Sequence, residues 1–138
     1  TGALELALSC DVIIAAEEAK FGDTHAKFGL RPTWGMSQRL PRLVGMAAAR
    51  ELSLTARTFD GIEAHALGMV ARIAPRAALD AATDELIASI AANSIGSLRA
   101  YKDLYGRAFD LPLAEALAYE ARTDYPIDDT GARLADFR

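Results

Sequence analysis

The sequence predicts an α/β fold whose second part is almost wholly helical. Residues 12–16 form an apolar run rich in β-branched side chains and predict a buried strand, and residues 69–73 are another strand candidate. Helical spacing of apolar residues lies between these segments, and from Arg76 onward it is the only pattern that recurs. We therefore expect an α/β part over residues 1–75 and a helical region over residues 76–138.

Each element of the α/β part follows from local spacing. Residues 2–10 place Leu4, Ala7 and Leu8 on one helical face and predict a short helix that precedes the first strand. Residues 19–22 predict a second short strand, and residues 23–34 predict a loop, because Gly29, Pro32 and Gly35 break regular structure. Helical spacing resumes over residues 37–44, where Pro41 should end or kink the helix.

Two further helices are expected before the second strand. Residues 47–54 are strong helix formers. Asp60 and Glu63 form a capping-box pattern, in which each side chain reaches a backbone N–H group at the start of a helix. That helix should end at Gly68, because glycine readily adopts the conformation that terminates a helix.

The helical region contains three amphipathic segments, at residues 76–92, 94–109 and 113–123. Ser94 is a candidate N-cap for the second of them. Three such helices in series cannot bury all their apolar faces against one another. They need the α/β part, a partner chain, or both.

Composition excludes several classes of protein. At 138 residues, with 51% apolar residues, the chain can bury a core, and its net charge of −4 argues against a nucleic-acid partner. Its apolar runs are far shorter than the roughly 20 residues of a membrane span. The single cysteine excludes an internal disulfide framework and favours a cytoplasmic protein, and no metal-ligand spacing is present.

The first residues of the chain combine a glycine with a carboxylate. Gly2 lets backbone approach a ligand closely, and Glu5 follows three positions later, where it could move protons beside that ligand. From spacing alone, Glu5 is better explained as an ordinary solvated helix residue. Single residues therefore do not decide whether this is a site.

An ordered series of motifs gives a more specific indication. The motifs are GALELALSCD at residues 2–11, AKFG at 19–22, GLRP at 29–32, Gly35, and QRLPRLVG at 38–45. In this order and spacing the series resembles the crotonase family, the enoyl-CoA hydratases and isomerases. The resemblance covers nearly the whole chain but only about the second half of a family member. It implies the crotonase-like (ClpP/crotonase) fold: the second half of its ββα spiral core plus a C-terminal helical oligomerisation region.

The resemblance also implies a site for an acyl-CoA thioester. Family members hold the thioester oxygen in an oxyanion hole of two backbone N–H groups. Gly2 matches the residue that gives one of them, and the other is expected upstream of Thr1. Glu5 matches the first of the two glutamates that hydratases use. The second glutamate is expected at position 25, where this chain has His25.

Three interpretations of His25 remain open. It replaces the glutamate as acid or base in a hydratase or isomerase, since histidine has an ordinary pKa of about 6.5. Alternatively, it serves another reaction of this fold, such as hydrolysis or carbon–carbon cleavage. Otherwise it only lines the pocket of a weakly active or non-catalytic acyl-CoA-binding relative. The neighbouring Asp23 and Thr24 could orient or replace it, although a loop aspartate commonly bonds its own backbone.

The loop before the residue 37–44 helix also departs from the family, which has small residues there. Pro32, Thr33 and Trp34 are candidate substrate-binding residues, and the bulky Trp34 and Met36 would shorten or shape the acyl pocket if they face it. The alternative is that Trp34 packs outward against a helix or a neighbouring subunit.

The remaining expectations concern structure and partners. Cys10 should be buried as a small apolar residue, and His65 should be structural. Lys102 and Arg138 are further candidates for CoA contact, although spacing selects neither. The resemblance implies no metal and no cofactor other than the CoA of the substrate. It also implies a homotrimer or hexamer.

Overall fold

The computed structural model describes residues 1–136 and divides the chain into two compact units. The first unit is Thr1–Asp84, and the second begins at Glu85, inside a helix. Arg138 lies outside the described residues. Across residues 1–136, none of the helices combines the length and apolar character that crossing a membrane requires.

The first unit alternates short strands with helices. A 3₁₀ turn at Ala26–Phe28 interrupts the loop before α2, and another at Arg76–Ala78 leads into α5. The elements are α1 Gly2–Ala7, β1 Ile14–Ala16, β2 Lys20–Phe21, α2 Met36–Val44, α3 Met46–Thr55, β3 Phe59–Asp60, α4 Gly61–Ala66, β4 Arg72–Ala74 and α5 Leu79–Ala91.

Two small pairs of strands organise this unit. β1 pairs in parallel with β4, with Ile14 opposite Arg72 and Ala16 opposite Ala74. β2 pairs antiparallel with β3, and Phe21 stacks on Phe59 across that pair. The helices between β1 and β4 form the crossover that a parallel pair requires.

A close backbone contact fixes the start of α4 against the end of β1. A Cβ atom on Gly61 would lie 2.1 Å from the carbonyl oxygen of Ala16, so only glycine fits there. The Gly61 N–H also donates to the carbonyl oxygen of Glu17 at 3.1 Å. This contact holds α4 on the sheet that β1 and β4 form.

The capping box is half formed. The Asp60 carboxylate caps α4 by accepting the Glu63 N–H at 2.9 Å, as its position predicts. The Glu63 side chain instead accepts hydrogen bonds from Arg57, which also pairs with Glu51. Glu63 therefore joins an ion-pair network, because a guanidinium between two carboxylates competes with the backbone N–H for its oxygens.

The core lies between α1, the helix pair α2 and α3, and the strands. Its most deeply buried large side chains are those of Met36, Leu40, Leu52 and Val70. Pro41 was expected to end or kink its helix. It does not end the helix, because α2 continues to Val44. Burial of Met36 and Leu40 on the same helix offsets the local cost of the proline.

Several predicted boundaries are wrong by a few residues. The first helix ends at Ala7, and the last strand of the unit lies at Arg72–Ala74, after the buried Met69 and Val70. β3 was not expected. Cys10 is exposed, contrary to prediction, because it follows the end of α1 and has turned away from the core.

Helices are the only regular secondary structure of the second unit among residues 85–136. After α5 it contains α6 Ile95–Arg107, α7 Leu113–Arg122 and α8 Thr130–Asp136. Ser94 caps α6 as expected, accepting the Ser97 N–H at 3.4 Å, and its hydroxyl donates to Asp129 at 2.6 Å. The final helix, α8, was not expected from the sequence.

A carboxylate joins α6 to α7 and the segment that follows it. Asp103 accepts hydrogen bonds from the hydroxyls of Tyr119 and Tyr125, both at 2.8 Å. These bonds, chiefly the one from Tyr119, lower the pKa of Asp103. Burial, together with the bond to Asp103, raises the pKa of Tyr125 to about 12. The cluster supplies polar contacts within a unit of short helices.

Candidate active site

Glu5 is the buried carboxylate around which the site is built. It lies in α1 and is only 4% exposed, so its description as a solvated helix residue, which spacing alone suggested, is wrong. Its Oε1 accepts the backbone N–H groups of Trp34 at 3.2 Å and Met36 at 3.1 Å. The segment that leads into α2 thus supplies two donors to a carboxylate of α1.

His25 faces the second oxygen of that carboxylate. Its Nε2 lies 3.6 Å from Oε2 of Glu5, and its Nδ1 lies 2.6 Å from Oδ1 of Asp23. The imidazole is nearly buried, with 12% of its side chain exposed. The loop between β2 and the first 3₁₀ turn therefore brings Asp23, His25 and Glu5 into one line.

Asp23 lies at the inner end of this line. Burial raises its pKa, but hydrogen bonds from the His25 and Ser53 side chains and from the His25 N–H outweigh that effect, and the net pKa lies below its ordinary value. Its Oδ1 accepts the His25 N–H at 3.3 Å as well as the ring contact. Asp23 therefore bonds its local backbone and orients the imidazole at the same time.

Two threonines connect the start of α1 to the same loop. The hydroxyls of Thr1 and Thr24 are in contact, and the Thr1 hydroxyl oxygen accepts the Thr24 N–H at 3.2 Å. These contacts fix the loop that carries His25 against the helix that carries Glu5. The relative position of the two catalytic candidates thus depends on more than their own side chains.

A cavity of about 960 Å³ lies in front of these groups. Six of the residues singled out in the sequence line it: Gly2, Glu5, Thr24, His25, Thr33 and Trp34. Pro32 is not among its lining residues, and Asp23 lies behind His25. The backbone around Pro32 leads toward the cavity, while the proline ring does not contribute to its wall.

The sequence reasoning missed several contributors to the site. Phe28 and Leu30 add apolar side chains to the cavity, and Arg31 adds a cation. Phe28 belongs to the 3₁₀ turn at Ala26–Phe28, which lies in the segment that the sequence predicts to be a loop. Ser53, which contributes to the lowered pKa of Asp23, lies in α3 and carries no signal in the sequence, because only the fold brings that helix to the His25 loop.

Trp34 and Met36 have opposite environments. The Trp34 ring approaches within 3.5 Å of the position that a Cβ on Gly2 would occupy, and it lines both the main cavity and a second one of about 440 Å³. Arg39 holds the Trp34 backbone by donating to its carbonyl oxygen at 2.7 Å. Met36 is 1% exposed and packs in the core. It therefore does not face the main cavity, and the possibility that it shapes the acyl pocket directly is wrong.

No group of three or more histidine, cysteine, aspartate or glutamate side chains with the geometry of a metal site occurs among residues 1–136. His65, which was expected to be structural, places Nδ1 2.9 Å from the carbonyl oxygen of Val70. That contact closes the segment that follows α4.

The fold is that of the crotonases. A solved enoyl-CoA hydratase from Bacillus anthracis superposes with a TM-score of 0.85 at 35% identity, over 88% of this chain and 47% of that one. A Thermobifida fusca protein solved in complex with CoA superposes with a TM-score of 0.82 at 37% identity, over 99% of this chain and 51% of the other.

Sequence comparison identifies the family. The model of the enoyl-CoA hydratase/isomerase family matches residues 1–132, and the chain therefore belongs to that family. A Mycobacterium tuberculosis protein named "Probable enoyl-CoA hydratase" is 43% identical over 139 residues, which cover 99% of this chain and 54% of that protein. The chain thus spans about half the length of the curated relatives it matches.

Proposed function

We propose that the complete protein hydrates an enoyl-CoA thioester, with Glu5 and His25 as its acid/base pair. The observation that carries this proposal is the 3.6 Å approach of His25 Nε2 to Glu5 Oε2 at the wall of a cavity that Gly2 also lines. Two proton-transfer groups facing one cavity suit the addition of water across a carbon–carbon double bond.

Gly2 supplies one donor for the thioester oxygen in this proposal. It is the first residue of α1, where the backbone N–H groups have no partner within the helix. Such a donor stabilises the negative charge that develops on the oxygen as the enolate forms. An oxyanion hole of this kind uses two donors, and Gly2 accounts for one of them.

Glu5 and His25 divide the proton transfers. Glu5 removes a proton from water as the water oxygen bonds to the β-carbon, and protonated His25 donates a proton to the α-carbon of the enolate. The net change is the addition of one water molecule. The proton taken up by Glu5 returns to His25 across the short gap between them, which restores both groups.

The acyl group and its carrier contact the remaining lining residues. We assign Thr24, Thr33 and Trp34 to the wall around the acyl chain, with Pro32 shaping the backbone beside it and Asp23 acting behind His25. The reaction requires no metal or redox cofactor, since CoA arrives with the substrate. The T. fusca complex with CoA supports this choice of ligand.

The assembly and location follow from the family resemblance and the composition. We propose a homotrimer or hexamer formed through the helical region over residues 76–138, which packs on the α/β part of residues 1–75 and on neighbouring subunits. A cytoplasmic location agrees with the use of a single cysteine. Neither nucleic acid nor membrane is a partner in this proposal.

Replacement of Glu5 by glutamine tests the proposal. Loss of one acid/base group should lower turnover of crotonyl-CoA by the complete protein by roughly 100-fold or more, since such groups contribute about 10²–10⁴-fold. Loss of the conjugated-thioester absorbance measures the reaction. The exposed Glu115 offers a matched control, and Glu115→Gln should leave turnover unchanged. Undiminished turnover in Glu5→Gln would remove Glu5 from this role.

A second candidate reaction is thioester hydrolysis, which the Asp23–His25 contact favours. An imidazole backed by a carboxylate can activate water for attack on the thioester carbonyl. The two reactions give different products, because hydrolysis releases the free thiol of CoA. Thiol release from crotonyl-CoA at the rate of absorbance loss would establish hydrolysis, and absorbance loss without thiol release would establish hydration. Binding without either would indicate a non-catalytic relative.

A further inference from the structure

We propose that Asp23 and Ser53 form a bracket that fixes the tautomer and the orientation of His25, and that they act as positioning residues for the acid/base pair. This inference rests on the proposed function for its catalytic meaning. It concerns two residues that do not line the cavity. The bracket would hold the His25 ring in the orientation in which its Nε2 atom faces Glu5.

The chemistry of the Asp23 contact assigns the ring proton. The lowered pKa keeps Asp23 ionised, and an ionised carboxylate can only accept hydrogen bonds. A separation of 2.6 Å from His25 Nδ1 therefore requires the proton to be on Nδ1. In the neutral ring, Nε2 then carries a lone pair and can accept a proton, and in the charged ring it carries the proton that it donates.

Ser53 makes this arrangement specific. It lies in α3, an element separate from the loop that holds Asp23 and His25, and its side chain is one of the groups that lower the pKa of the Asp23 carboxylate. Asp23 itself is only 4% exposed, so its side chain is held between the helix and the imidazole. A surface loop aspartate that only capped its own backbone would need neither the burial nor a partner from another helix.

The other end of the line is fixed in the same way. Glu5 Oε1 accepts two backbone N–H groups, so the carboxylate cannot rotate freely, and Oε2 is left facing His25 Nε2. The separation of 3.6 Å is longer than a direct hydrogen bond. Glu5 and His25 are thus each fixed by hydrogen bonds on the side away from the other. Their reactive atoms, Oε2 and Nε2, face each other across a short gap.

The tautomer of His25 can be measured without any assay of activity. The complete protein, with histidine labelled at its ring nitrogens by the heavy nitrogen isotope, gives resonances that distinguish a protonated from an unprotonated ring nitrogen. His25→Gln and His65→Gln assign the signals. His65 is an internal reference, because its Nδ1 faces the Val70 carbonyl oxygen and has no contact with Asp23.

The expected result is that neutral His25 carries its proton on Nδ1 in the unmodified protein. Asp23→Asn can donate as well as accept, so it should transfer a measurable fraction of His25 to the opposite tautomer while the His65 signals stay in place. The same variant should lower kcat for crotonyl-CoA by roughly 100-fold with KM little changed. Ser53→Ala should cause a smaller loss, of roughly fivefold.

Two results would overturn the bracket. One is a proton on Nε2 of His25 in the unmodified protein, and the other is an Asp23→Asn spectrum identical to that of the unmodified protein. If Asp23→Asn does not fold, the tautomer of the unmodified protein and the Ser53→Ala variant still decide the question. The exposed Asp80 gives the matched control, since Asp80→Asn should change neither spectrum nor kcat. A tautomer shift without hydratase activity would refute the proposed reaction and leave the bracket standing.

Discussion

At the scale of single residues, position 25 carries the largest difference between this chain and the hydratase pattern. A glutamate has an ordinary pKa of about 4.3, whereas a histidine titrates near neutrality. The sequence showed this exchange but left the role of the histidine open among three interpretations. The contacts to Glu5 and Asp23 support an acid/base role, because a spectator would not need both ring nitrogens directed at carboxylates.

Trp34 offers a prediction at the same scale. Trp34 lines both the main cavity and the smaller one that Leu6 and Arg39 help to line, so we expect Trp34→Ala to join them. We expect the variant to lose activity on crotonyl-CoA and to gain relative preference for longer enoyl chains, by roughly tenfold or more for each two or three added carbons that the new space can bury.

The measurement is the ratio of kcat/KM values across a series of enoyl-CoA chain lengths. Trp34→Phe, which keeps an aromatic ring of smaller size, serves as the graded control. Its chain-length preference should fall between that of the unmodified protein and that of Trp34→Ala. An unchanged preference in Trp34→Ala would show that the ring does not bound the acyl chain.

At the scale of elements, the Gly61 contact predicts a localised stability effect. Gly61→Ala places a methyl group against the Ala16 carbonyl oxygen, and both α4 and β1 must shift to relieve the clash. We expect a loss of about 1–3 kcal/mol in the free energy of unfolding, as for an overpacked core position. Denaturant unfolding of the complete protein measures it.

Gly106 is the matched control for this prediction. It lies in α6, and no atom lies within 4 Å of the position of its added Cβ. Gly106→Ala should keep stability unchanged or raise it by up to about 1 kcal/mol, because alanine is the better helix former. Equal losses in both variants would contradict the assignment of the Gly61 effect to its contact with β1.

An element could be predicted from the sequence when the residues that determine it are neighbours in the chain. The helices with strong spacing, and the caps at Asp60 and Ser94, follow from neighbouring residues and were anticipated. β3 and the position of β4 were not, because strands of two or three residues are defined by their partners. Pro41 was misjudged for the related reason that core burial outweighed a local preference.

At the scale of the whole molecule, the helical unit carries many exposed apolar side chains. Leu113 and Leu117 lie one turn apart on α7, with exposures of 76% and 56%. Since water-exposed leucines at this spacing form an apolar stripe, they suit the subunit contact proposed for this region. We expect the complete protein to have the mass of three or six chains by light scattering after size-exclusion chromatography.

Leu117→Asp should shift that distribution toward smaller species, because burying a carboxylate in an apolar contact is costly. Glu115→Gln also changes the charge by one unit, but on the opposite side of the helix, and should leave the mass unchanged. A monomeric unmodified protein would refute the proposed assembly, and an assembly indifferent to Leu117→Asp would place the contact elsewhere.

The sequence by itself determined the family, the order of the main helices, and the pairing of Gly2 with Glu5 and His25 as the residues to examine. These depend on local spacing and on an ordered set of motifs, which the chain carries in full from residue 2 to residue 45. The tertiary structure decided that Glu5 is buried, that Trp34 rather than Met36 faces the cavity, and that Ser53 of α3 supports Asp23. Those facts depend on contacts between residues that are far apart in the chain. Tertiary packing determines such contacts, and the spacing of residues along the sequence does not reveal them.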